Sequence, residues 1–114
     1  MSTDPVETNP EHYSVVFEND RVRVLAYTDE PGASTQPHAH PDSVMVALSD
    51  IHRKLVLGDQ EREVQIPMGT ATWLPAQTHS GHNIGTTPTH SVFVELKEAP
   101  PAAADEAALG PEFG

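Results

Sequence analysis

Turn signals break this chain every eight to twelve residues, and no stretch between residues 13 and 98 sustains the apolar period of a helix. What lies between the turns is short, apolar and rich in β-branched residues: 14–17, 21–28, 43–48, 53–57, 63–66, 71–74 and 91–96. Asn19-Asp20, Pro31-Gly32, Gly58-Asp59 and Pro67-Met68-Gly69 separate the runs, each a combination suited to a tight turn. In the second run Val22, Val24 and Ala26 alternate with Arg21, Arg23 and Leu25, the two-residue period of a strand. Many short, evenly spaced strands predict an all-β antiparallel sandwich or barrel. At 114 residues one such domain is expected, with a modest core. A small sheet protein must also protect its edges, which barrel closure or the pairing of two copies achieves.

The two ends read differently. Residues 1–13 are polar and acidic and lack the basic start of a signal peptide, so a flexible arm is expected. Residues 99–114, dominated by Ala, Pro and Glu, hold too few large apolar groups to offset ordering entropy. A disordered tail is expected there, with a short helix over 102–109 as the alternative. The barrel is assigned to residues 14–98.

Six Lys and Arg against seventeen Asp and Glu give a formal net charge of −11. Such a surface repels phosphate backbones, so nucleic acid is not an expected partner. The scarcity of basic residues equally disfavours a strongly phosphorylated substrate. No apolar run approaches the roughly 20 residues that span a bilayer, so no membrane partner is expected. The chain has no cysteine, which removes disulfides and thiolate metal sites and fits a cytoplasmic location.

The chemistry concentrates in the histidines. His38 and His40 lie two residues apart, so on a strand both imidazoles share one face. A third imidazole, from His79, would complete a nitrogen face that leaves coordination positions open for water or substrate. The same His-x-His pattern also occurs as a solvent-facing pair on a strand. His82 is out of phase with His79 and Asn83 and is expected to point outward or to shield the barrel mouth. Asn83 reads as a turn residue or a hydrogen-bonding support. His12, His52 and His90 have no motif around them and read as ordinary polar residues.

Gly32, His38 and His40, followed by Gly69, Pro75, His79 and Asn83, stand in the order and nearly the spacing of the two cupin motifs. Residues 14–97 thus resemble a small single-domain cupin of the RmlC-like superfamily. The resemblance implies a double-stranded β-helix, or jelly-roll barrel, with its histidines projecting inward. It also implies one divalent transition metal (iron, zinc, manganese, nickel or copper) on His38, His40 and His79. The family's first motif usually continues to a glutamate; here that slot falls on Val44 or Met45. Strand parity carried from His38 through His40 and Asp42 puts Val44 on the histidine face, as an apolar wall, with Asp42 the nearest inward carboxylate. A three-histidine site without the carboxylate resembles the sites of cysteine dioxygenase-like and diketone-cleaving cupins.

The expected pocket therefore takes Gln36, Asp42, Val44, Trp73, Asn83 and Phe93, with Met45 and Val46 adding dry wall. Trp73 reads as core, with the pocket edge as its other place. The expected function is that of a metal-dependent dioxygenase acting on a small enolisable or carboxylate substrate. A lyase or isomerase is a variant of that reading, and a non-catalytic small-molecule binding or sensing cupin is the alternative. A homodimer is expected, since cupins commonly pair through sheet edges and faces.

Overall fold

The computed structural model describes residues 3–98 and 109–110. Among the described residues nine strands follow one another: β1 (Tyr13–Glu18), β2 (Val22–Asp29), β3 (His38–His40), β4 (Ser43–Ala47), β5 (Ile51–Leu57), β6 (Gln60–Ile66), β7 (Ala71–Leu74), β8 (Gln77–Asn83) and β9 (Thr89–Leu96). The turn chemistry does what the sequence predicts. Asn19 Oδ1 accepts hydrogen bonds from the backbone N–H groups of Arg21 and Val22, at 2.8 and 2.9 Å. Gly58 and Gly69 take positive φ, 57° and 88°, where a side chain would be strained.

Two antiparallel sheets result, one of five strands in the order β1-β2-β9-β4-β7 and one of four in the order β3-β8-β5-β6. The crossovers between sheets make this the jelly-roll, double-stranded β-helix arrangement expected from the sequence. A single cluster fills the interior, including Tyr13, Leu25, Tyr27, Met45, Ile51, Leu55, Val64, Ile66, Leu74 and Phe93.

The parity of the strands departs from expectation at one place. β3 and β4 belong to different sheets, and the Pro41-Asp42 step between them breaks the alternation that starts at His38. Met45 is buried, whereas Val44 and Val46 lie on the outer face, half-buried. Val44 and Val46 are therefore not walls of an interior pocket. Trp73 pairs with Val44 across β4 and β7 and is 37% exposed, so it is neither core nor pocket edge.

The outer face is unusually apolar. Phe17 pairs with Val24, Val24 with Val94, Val94 with Val44, and Val44 with Trp73. Directly paired residues share a face, so one row of apolar side chains crosses all five strands. Ala26, Val92, Val46 and Ala71 form a second row beside it. In β2 the inward residues are Leu25, Tyr27 and Asp29, and the valines that signal the strand point outward.

The N-terminal segment is not the flexible arm expected of it. Pro5–Thr8 form a short helix, α1, capped by the Asp4 carboxylate, which accepts from the Val6 N–H at 3.1 Å. Asn9 is fully buried and bridges the backbone of Gln36 from both sides, accepting from its N–H at 2.7 Å and donating to its carbonyl at 3.2 Å. The Ala39 N–H donates to the Thr3 carbonyl at 2.7 Å, which covers the edge strand β3. Pro5 is buried and Val6 packs against the core cluster, so a few apolar contacts and directed polar bonds together fix this segment. Among the described residues no helix is long and apolar enough to cross a membrane.

The tail expectations for 99–108 and 111–114 lie outside the described residues. Between them, Leu109 packs against the core cluster, its carbonyl accepts from the Arg62 guanidinium, and the Gly110 N–H donates to Gln77 Oε1 at 2.8 Å. Those two residues dock rather than hang free. Loss of a half-buried leucine and a hydrogen bond together costs about 1–2 kcal/mol. Truncation after Glu98 should accordingly lower Tm by roughly 4–10 °C in calorimetry; an unchanged Tm would show that the docked residues contribute nothing.

Candidate metal centre

Antiparallel pairing of β3 with β8 sets His38 directly opposite His79, and His40 opposite Gln77. The alternation of β3 turns His38 and His40 inward with Ala39 between them. All three histidines are buried, and a nitrogen from each lies within 4.8 Å of the others. The rings stand edge-on to one another or tilted, with centroids 4.9–5.2 Å apart. The sequence-level trio is thus brought together at one end of the barrel interior.

Hydrogen bonds decide which nitrogen faces the centre. His38 Nδ1–H donates to the Gln36 carbonyl at 2.7 Å, His40 Nδ1–H to Glu95 Oε2 at 3.2 Å, and His79 Nδ1–H to Gln77 Oε1 at 2.8 Å. A carbonyl or carboxylate oxygen can only accept, so Nδ1 carries the proton in the first two rings. The Gln77 amide is oriented by its own partners: its Nε2 donates to the Pro75 carbonyl, and its Oε1 accepts from Gly110. Every ring therefore presents a bare Nε2 lone pair to the interior. Burial pushes all three pKa values down, His40 to about 3 with its neighbours His38 and Arg23 adding to the effect. Neutral rings with Nδ1 anchored and Nε2 free are the form that binds a metal ion.

Tyr13, from the start of β1, completes the inner surface. Its hydroxyl lies 3.2 Å from His38 Nε2 and 3.4 Å from His40 Nε2. Burial holds the phenol well above its ordinary pKa, so it acts as a donor here. One hydroxyl proton serves only one of these two lone pairs. The other faces a buried interior with no donor from Tyr13, an arrangement that costs free energy unless a cation takes it. The donor set thus fits a divalent transition metal.

Behind the rings, charge runs outward in a chain. Glu95 is buried; it accepts from His40 on one oxygen and from Arg23 on the other, and Arg23 reaches on to Asp4 at 2.6 Å. Burial raises Glu95's pKa and Arg23 opposes that rise. A second polar cluster closes the other end of the interior. Arg53 pairs with Asp29, donates to the Tyr27 hydroxyl at 3.1 Å, and stacks 5.0 Å over that ring. Burial pushes Asp29 up, but the Tyr27 hydroxyl, Arg53 and Asn83 overcome this and hold its carboxyl below the usual range. Gly81 makes room for this cluster, since a Cβ there would stand 2.7 Å from the Arg53 guanidinium.

The other expected pocket residues divide. Phe93 is where it was expected, stacked on His40 at 4.9 Å and 15°. Asp42 is buried away from the histidines and caps the β7–β8 turn by accepting from Ala76 N–H at 2.8 Å. Asn83 belongs to the Asp29 cluster, donating to Asp29 Oδ1 at 3.0 Å. Gln36 is exposed and contributes its backbone carbonyl instead of its side chain. His82 points outward to Ser34, as its parity required. Tyr13, Glu95, Arg53 and Asp29 were not singled out from the sequence. Glu95 had a signal there: it stands two residues after Phe93 in an apolar run, so the same parity puts it inside.

Similarity to solved structures is extensive. A cupin domain from Bordetella pertussis Tohama I is 26% identical with a TM-score of 0.70, over 75% of this chain and 92% of that one. A double-stranded β-helix protein from Klebsiella pneumoniae is 24% identical with a TM-score of 0.60, over 74% of each chain. The chain has the fold of a small cupin. The polyketide cyclase RemF from Streptomyces resistomycificus shares that fold at 24% identity and a TM-score of 0.58, over 78% of this chain and 66% of that one. No protein-family model matches the sequence. No curated protein matches it significantly.

In this cupin-fold protein the Glu95 carboxylate both orients His40 and raises its basicity. Partners of that kind are worth 10–100-fold in metal affinity. Glu95→Gln should therefore weaken zinc binding by about that factor in competition titrations with a chelator, while circular dichroism stays that of the wild type. Equal affinity in the two proteins would remove Glu95 from the site.

Proposed function

We propose that this cupin-fold protein binds one divalent transition metal on His38, His40 and His79 and acts as a dioxygenase on a small enolisable or carboxylate molecule. The observation that carries this reading is the anchoring of all three Nδ1 atoms, which leaves neutral Nε2 lone pairs on three buried rings whose nitrogens lie within 4.8 Å of one another. Bound there, such a metal supplies Lewis acidity to a substrate oxygen and, if it is iron, a site for dioxygen.

The protein's own groups suit that chemistry. Beside the histidines lies a cavity of about 40 Å³. That is room for water or a diatomic gas. Its walls include the apolar Met45, Leu74 and Phe93, and Ser91. The buried Ser91 hydroxyl meets no hydrogen-bond partner among the described residues, so it is available to a small polar guest. An organic substrate is larger than this space and requires the wall to move. The small size of the cavity is also what favours the second reading, a non-catalytic cupin that binds or senses a small molecule.

Metal analysis and an oxygen electrode test the proposal together. The purified protein should carry about one equivalent of metal per chain, and His38→Ala, His40→Ala and His79→Ala should each lose most of it. His12→Ala and His90→Ala should keep it. Iron-loaded protein should consume dioxygen with a member of a panel of β-diketones and small carboxylic acids, and His79→Ala should not. Saturable binding from that panel without consumption selects the binding reading, and full metal retention in His79→Ala overturns the ligand set.

A further inference from the structure

Among the described residues no carboxylate joins the three histidines on their Nε2 side. The inward residues of β4 are Ser43, Met45 and Ala47: the Ser43 hydroxyl donates to the Pro41 carbonyl, the Met45 thioether is a poor ligand for a hard cation, and Glu95 is spent on the Nδ1 side of His40. The oxygen nearest the lone pairs comes instead from a strand that carries neither histidine motif. Tyr13 Oη stands 3.2 and 3.4 Å from two Nε2 atoms. Bonds of about 2.0–2.1 Å in a tetrahedral site put neighbouring ligand atoms about 3.3 Å apart. The phenol oxygen thus stands from His38 and His40 at the separation that two ligands of one such metal would have.

The ring is built in to stay there. Tyr13 is buried, its centroid lies 4.7 Å from that of Tyr27 and 5.9 Å from that of Phe93, and its backbone N–H is tied to the Asn9 carbonyl at 3.0 Å. We infer that Tyr13 is the fourth protein ligand of the metal, giving a three-nitrogen, one-oxygen site. The inference rests on the three-histidine reading above. On coordination the O–H bond breaks, the oxygen keeps the electron pair and bonds the metal, and the proton leaves to solvent. The phenolate removes one unit of the cation's charge in a site whose other ligands are neutral, and a nearby cation is what makes the anionic form favourable.

Tyr13→Phe tests this, since it keeps the ring packing and removes only the oxygen. Copper(II)- or iron(III)-loaded wild type should show an intense visible phenolate-to-metal charge-transfer band, and Tyr13→Phe should lack it. Zinc affinity should fall by tenfold or more in the variant. Stoichiometric metal without that band in the wild type, and with equal zinc affinity in Tyr13→Phe, overturns the Tyr13 assignment and leaves the three histidines standing. No metal uptake by the wild type overturns both.

Discussion

The pairing of β3 with β8 is the contact on which the candidate site depends. It joins two segments about forty residues apart and places His38 across from His79 in register. Slipping that register by one residue would turn one partner's imidazole outward, because side chains alternate with a period of two. The pairing fixes where the rings are; the three Nδ1 bonds fix how they point. Two of the three acceptors come from the same short strands and their flanks, Gln36 and Gln77, so the register that assembles the rings also assembles their supports. The third, Glu95, comes from the other sheet and ties the two layers together at the site.

β9 gives the interior its axis. Its inward residues, Thr89, Ser91, Phe93 and Glu95, run from the Arg53–Asp29 cluster to the histidines. Ion pairs buried at both ends are weak contributors to stability against an apolar alternative, yet removing one partner alone is costly. They therefore act as constraints on arrangement more than as a source of free energy. The apolar core between them, from Leu25 and Ile51 to Leu74, supplies the burial that makes such polar ends tolerable.

Two features inverted the simplest reading of the pattern. In β2 the valines that mark the strand face out, and the residues that face in include Tyr27 and Asp29. In β4 the inward residues are Ser43, Met45 and Ala47, and Val44 faces out. Alternation alone identifies two faces without saying which is inside, and a half-buried outer face erases the usual contrast. The N-terminal segment inverts a different rule. Polar composition suggested mobility, but Asn9, Asp4 and Thr3 are held by hydrogen bonds whose partners lie elsewhere in the chain.

The sequence by itself determined seven of the nine strand runs, all but the histidine-bearing β3 and β8, together with the turns at Asn19, Gly58 and Gly69, the cupin barrel and the three histidines. These depend on local backbone preferences and on motif spacing, which are written along the chain. Only the tertiary structure decided that Tyr13 and Glu95 meet the histidines, that Asp42 and Asn83 serve as structural anchors away from them, and that Val44 and Trp73 lie outside. Each of those outcomes turns on which strands become neighbours and on the break at Pro41-Asp42. Cross-strand contacts are set by the closure of the whole barrel, and no window along the sequence contains them.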